Sequence, residues 1–155
     1  MVELPRVTLN TDLNEGFCFG CGANNPIGLK LKFTREGDGI RAEYTPDKYF
    51  QGWPGLLHGG LTGTLLDEAM SNVAYSTGHT CLTATITIRI RQPIPVDATL
   101  VVTARIARQR KKIIETEGTL ALADGTVVAE ASAKQFIVKN TAPQGDLVRE
   151  KKDHV

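Results

Sequence analysis

The sequence predicts an α+β domain in which a long antiparallel sheet wraps around one central helix. Three observations carry this. One stretch, from about His58 to Thr77, repeats apolar residues every four positions. Two alternating apolar/polar segments precede it and four longer ones follow. The 155 residues, 41% hydrophobic and 23% charged, have the size and balance of a single domain with its own core.

The elements read in order as follows. Gly16 to Pro26, GFCFGCGANNP, is rich in Gly, Asn and Cys and is a loop. From Ile27, Leu29, Leu31 and Phe33 alternate with Lys30, Lys32 and Thr34, the pattern of a half-buried strand. The turn Gly37-Asp38-Gly39 leads to a second alternation, Ile40, Ala42 and Tyr44, completing a hairpin. Residues 45–56 hold two prolines and two glycines and read as an irregular connection. In the helix, Leu57, Leu61, Leu65, Ala69 and Val73 form a stripe that Leu66 and Met70 widen, and Gly78 is its natural stop. In the next strand Leu82, Ala84, Ile86, Ile88 and Ile90 face one way, and Thr83, Thr85, Thr87, Arg89 and Arg91 the other. Pro93 and Pro95 end it. Thr99 to Arg108, Ile113 to Ala123 and Val127 to Val138 supply the last three strands. Asp124-Gly125 is the hairpin turn between the final two. The domain plan is therefore an arm with a Cys-containing loop over 1–26, the folded unit over 27–139, and a charged, mobile tail over 140–155.

Composition excludes several functions. Eighteen basic against 17 acidic residues leave a net charge of +1, which argues against nucleic acid or a membrane surface as partner. No apolar run approaches the roughly 20 residues of a membrane span, and MVELPRVTLN lacks the features of a secretory signal. Three cysteines are an odd number and suit a reducing cytoplasm. The chain has no G-x-S-x-G, no Walker loop and no G-x-G-x-x-G, so serine-hydrolase, nucleoside-triphosphatase and dinucleotide readings lack support.

Candidate chemistry concentrates in QGWPGLLHGGLTGTLLDE, Gln51 to Glu68. Gly59 and Gly60 fall where the helix begins, where backbone N–H groups are unpaired and a partial positive charge sits. They either admit a carbonyl or phosphate oxygen, or simply allow a tight turn. Asp67 lies among Gly63, Thr64 and Ser71 on the helix, either a solvated charge or a general base or nucleophile. Glu68, about 100° further round, points elsewhere, so the two are not a paired-carboxylate site. His58 at the helix start caps, packs, or acts as acid or base. Cys18 and Cys21 form a C-x-x-C with no second ligand pair in the sequence. A structural loop is favoured over a zinc or redox site, and no metal is expected. Arg108, Arg110, Lys111 and Lys112 form either a solvated basic turn or a seat for ligand phosphates.

The stretch QGWPGLLHGGLTGTLLDEAMSN resembles the signature of hotdog-fold acyl-CoA thioesterases of the phenylacetate-pathway type. CFGCGANNPIGLKLKF and TATITIRIRQPIP extend the resemblance over about Cys18 to Val138. The resemblance implies a hotdog domain over 27–139 that hydrolyses an acyl-CoA. Gly59 would polarise the thioester carbonyl through its N–H, and Asp67 would activate water or attack directly. His58 would orient the carbonyl or loop, Thr83 would hold the water or carboxylate, and Gln51 falls near the family's amide position. Gly60, Arg89, Arg91, Arg108, Arg110 and Lys111 would meet CoA. The family builds its site between two subunits, which implies a homodimer, paired into a tetramer, working without metal or organic cofactor. A hotdog hydratase or dehydratase and a non-catalytic acyl-CoA-binding module are the other readings. His58-Gly59-Gly60 followed by Asp67 fits a thioesterase better.

Overall fold

The computed structural model describes residues 16–140. The arm expected before residue 16 and the tail expected after residue 140 lie outside the described residues. The elements are β1 (Thr34–Glu36), β2 (Gly39–Tyr44), a 3-10 turn (Lys48–Phe50), α1 (Gly59–Ser76), β3 (His79–Ile90), β4 (Leu100–Arg110), β5 (Ile113–Leu122) and β6 (Val127–Asn140). All strands pair antiparallel in one sheet of order β1-β2-β4-β5-β6-β3. No described helix is long and apolar enough to cross a membrane.

α1 lies on one face of this sheet, and its stripe explains why. Leu65, Leu66, Ala69, Met70 and Val73 are all essentially removed from solvent. They meet the inward residues of the strands, among them Ile40, Val102, Leu120 and Ala129. Gly118 of β5 sits beneath this contact. A Cβ there would stand 3.3 Å from both Leu66 Cδ2 and Met70 Cγ, so the strand lets the helix approach by omitting a side chain.

Two features depart from the expected elements. Leu29, Leu31 and Phe33 are buried in alternation, but β1 begins only at Thr34. Lys30 adopts a left-handed φ of 55°, which breaks an extended run. The segment pairs instead with the Cys loop, Leu29 N–H to Phe19 O at 2.8 Å and Leu31 N–H to Gly20 O at 2.9 Å. The burial pattern is that of a strand, and the hydrogen-bond partner is a loop.

In β3, the register against β6 shifts between Thr83 and Thr85, leaving Ala84 as the extra residue. Thr83 therefore shares the helix-facing side with Ile86, Ile88 and Ile90. Its hydroxyl reaches Asp67 of α1, while Ile88 and Ile90 approach Gly63 and Gly59. The strict alternation that set Thr83 opposite those isoleucines is corrected by this one-residue bulge. β3 is also the terminal strand of the sheet, and Ile88 and Ile90 are 36% and 47% exposed.

Candidate active site

The start of α1 is built by the loop before it. Leu57 N–H donates to Ile94 O at 2.7 Å and His58 N–H to Phe50 O at 2.9 Å, which fixes the chain on both sides. His58 is the N-cap, and its Nδ1 accepts from Gly60 N–H at 2.9 Å. Accepting at Nδ1 places the ring's proton on Nε2. A Cβ on Gly60 would meet that ring at 3.0 Å, so the cap accounts for this glycine.

Gly59 is different. A Cβ there would meet only Ile90 Cδ1, at an ordinary 3.6 Å, and its φ lies outside the left-handed range. Nothing among the described residues requires a glycine at this position. As the first helical residue it has no carbonyl one turn back, and its N–H has no acceptor among the described residues. It borders a cavity of about 760 Å³ that is also lined by Trp53, His58, Thr62, Ile90 and Arg91. Thr62 is buried, and its hydroxyl has no partner among the described residues.

Asp67 is half-buried two turns further along α1. Its Oδ1 accepts from Thr83 Oγ1 at 2.8 Å. No donor to Oδ2 is found among the described residues. Behind Thr83 stands Gln135 of β6, fully buried. Its Nε2 donates to Ser71 Oγ at 3.1 Å and lies 3.5 Å from Thr83 Oγ1. Glu68 points to another side, where Asn72 Nδ2 donates to its Oε1 at 3.0 Å.

The structure thus joins Asp67 with Thr83, and Gly59 with His58 and Gly60. It does not bring these two groups together within one chain. Asp67 lies eight positions after Gly59 along the helix, a rise of roughly 12 Å. The other candidates are dispersed. Gln51 Oε1 accepts from Gly55 N–H at 3.0 Å, closing its own loop away from the cavity lining. Arg91 reaches the cavity but pairs with Glu130 at 2.7 Å, and this hydrogen-bonded pairing holds the pKa of the Glu130 carboxyl below its usual range. Arg89 faces Glu130 across the β3–β6 ladder. Arg108, Arg110 and Lys111 lie at the β4–β5 turn, where Gln109 meets His79. His79 opens β3 and Ile90 closes it, so this turn lies about 35 Å from the cavity in the same chain.

Trp53 borders the cavity. Met70 is core, and Phe50 packs edge-on against Tyr44. Gln135 escaped the sequence reading although a signal existed. Ala129, Ala131, Ala133 and Gln135 share the inward parity of β6, so an amide stands where three alanines precede it.

Residues 54–129 match the family model of the thioesterase superfamily. The acyl-coenzyme A thioesterase THEM4 of Bos taurus is 24% identical over 131 residues, covering 83% of this chain and 54% of that protein. The chain thus spans about half the length of that curated relative. The E. coli PaaI protein of the phenylacetic acid degradation operon superposes with a TM-score of 0.68 at 20% identity, covering 74% of this chain and 83% of its own. A hypothetical thioesterase of Streptococcus pneumoniae, solved with coenzyme A, gives 0.67 at 19% identity, covering 72% and 90%. These likenesses establish the hotdog fold. Solved variants of the pneumococcal protein replace one aspartate and one threonine. The two stand 16 positions apart, the separation of Asp67 and Thr83 here.

Proposed function

We propose, from the match of residues 54–129 to the thioesterase superfamily model, that the chain hydrolyses an acyl-CoA thioester to the free acid and CoA. The observation that carries the reading is the Asp67–Thr83 pair, a carboxylate with one oxygen held at 2.8 Å and the other open. Thr83 fixes Oδ1, and Oδ2 takes a proton from water as that water attacks the thioester carbon. Negative charge collects on the carbonyl oxygen, which the Gly59 N–H receives at the positive end of α1. The tetrahedral intermediate collapses, the C–S bond breaks, and the proton held by Asp67 passes to the departing thiolate. The acid and the CoA thiol are the products, and no step calls for a metal or organic cofactor.

One carbonyl cannot lie within hydrogen-bond reach of Gly59 while its attacking water touches Asp67 of the same chain, given the roughly 12 Å between them. The reading therefore takes Asp67 from one chain and Gly59 from a second copy, in a homodimer. The absence of an in-chain reason for glycine at 59 supports an approaching oxygen there. The name of the relative THEM4, the coenzyme A in the pneumococcal structure, and its altered aspartate and threonine support the substrate class and the pair. Arg91 at the cavity would meet CoA phosphates, with Gly60 and Arg89 beside it. Arg108, Arg110 and Lys111 would do so only from another chain. Pairing of dimers into a tetramer is the further assembly this reading carries, in a cytoplasmic setting.

The test is thiol release from short, long and aromatic acyl-CoAs by wild type and Asp67→Asn. Turnover on at least one substrate, falling about 10²–10⁴-fold in the variant, is expected. Binding of acyl-CoA without turnover would replace this reading with a non-catalytic acyl-CoA-binding module. Addition of water to an enoyl-CoA in place of thiol release would point to a hydratase.

A further inference from the structure

We propose that Cys18, Cys21 and Glu68 form a binding site for a zinc-class divalent cation, which fastens the N-terminal loop to the central helix. The inference stands independently of the thioesterase reading. Cys18 Sγ, Cys21 Sγ and a Glu68 carboxylate oxygen all lie within 4.8 Å of one another. Around a tetrahedral zinc, with Zn–S about 2.3 Å and Zn–O about 2.0 Å, sulfur and oxygen ligands stand about 3.5 Å apart. Cys18 Sγ and Glu68 Oε1 are 3.5 Å apart. Thiols paired with a carboxylate select zinc over calcium or magnesium, which prefer oxygen ligands alone.

The loop is shaped for this convergence. Gly22 N–H donates to Cys18 O at 2.9 Å, and a Cβ on Gly22 would stand 2.4 Å from Cys18 N, so the C-x-x-C turn closes only with glycine after it. A Cβ on Gly20 would fall 2.4 Å from the Glu68 carboxyl carbon, so the loop is pressed directly onto that side chain. Asn72 Nδ2 holds Glu68 Oε1 at 3.0 Å, the kind of outer contact that orients a metal ligand. Glu68 forms no ion pair among the described residues. A divalent cation supplies the positive charge that this cluster otherwise lacks. Binding converts two thiols and one carboxylate into a centre of net charge −1, with water in the fourth position, and releases two protons to solvent. The sequence pattern alone hid this because Glu68 lies 50 residues from Cys18.

The full chain, reduced and stripped with a chelator, is titrated with Zn²⁺ alone against a chromophoric competitor, and with Co²⁺ alone. One equivalent bound and a thiolate-to-cobalt charge-transfer band are expected. Cys18→Ser and Cys21→Ser should abolish the band and weaken zinc at least a hundredfold, and Glu68→Gln should keep the band and weaken zinc about tenfold. Circular dichroism checks that each variant folds. Should the serine variants not fold, alkylation of wild type decides: zinc should protect Cys18 and Cys21 and leave Cys81 reactive. Folded wild type with no band, a band that persists in the Cys18→Ser/Cys21→Ser double variant, or unchanged alkylation would each overturn the site. So would loss of two hydrogens by mass under reductant, which marks a Cys18–Cys21 disulfide.

Discussion

At Thr83 a single hydroxyl separates two jobs that a carboxylate alone cannot combine. Asp67 is open enough to touch water, yet a general base must present one oxygen in one place. In the proposed reaction the 2.8 Å contact from Thr83 would supply that orientation, and Gln135 stands behind the hydroxyl in the dry core. Thr83 itself is exposed, so its removal should leave the fold intact. Thr83→Val keeps the shape and deletes the donor. A hydrogen bond to a charged group is worth about 1.5–3 kcal/mol, so kcat should fall about 10–100-fold. KM for the acyl-CoA and the thermal midpoint should stay near wild type. A KM rise at unchanged kcat would instead make Thr83 a substrate contact. His58 shows the other outcome at this scale. It caps the helix through Gly60 N–H, one of the roles that the residue type alone left open.

The elements show which patterns a sequence carries openly. α1 was legible to within a residue at each end, because its apolar stripe, its cap and Gly78 all agree. The order of two strands, a helix and four strands was legible for the same reason. The Ala84 bulge was not, since TATITI continues to alternate straight through it while the pairing slips by one. The side chain of Thr83 changed faces as a result, and with it the reason to connect Thr83 to Asp67 without a family resemblance. The docking of the Cys loop on Glu68 depends on distant partners and leaves no local period. Gly118 is an element-scale feature too, a gap in β5 that sets how closely α1 approaches. Gly118→Val fills it against Leu66 and Met70. Overpacking of this kind costs about 1–3 kcal/mol, which should appear as a lower denaturation midpoint with an unchanged denaturant slope. A midpoint at or above wild type would mean that α1 moves outward without loss.

At the scale of the whole molecule the isolated chain has two unfinished features, and they lie on the same side. The sheet ends at β3 with Ile88 and Ile90 partly exposed, an open edge of the kind that proteins usually cover. The helix-facing side of that strand carries Thr83 towards Asp67 and brings Ile90 beside Gly59. A second copy meeting this edge would cover the isoleucines and could also bring its own Gly59 to the first chain's Asp67, closing the roughly 12 Å gap that one helix imposes. Assembly and catalysis are then the same event, and a change that prevents one must remove the other. Ile88→Lys places a charge on the edge, outside the cavity lining. Light scattering should show the mass of one chain at micromolar concentration, and a dimer or larger for wild type. Far-UV dichroism should be unchanged, and thiol release should fall about 10²-fold or more. Raising the protein concentration should restore dimer and activity in parallel. A folded monomer that turns over acyl-CoA at the wild-type rate would instead place the complete site within a single chain.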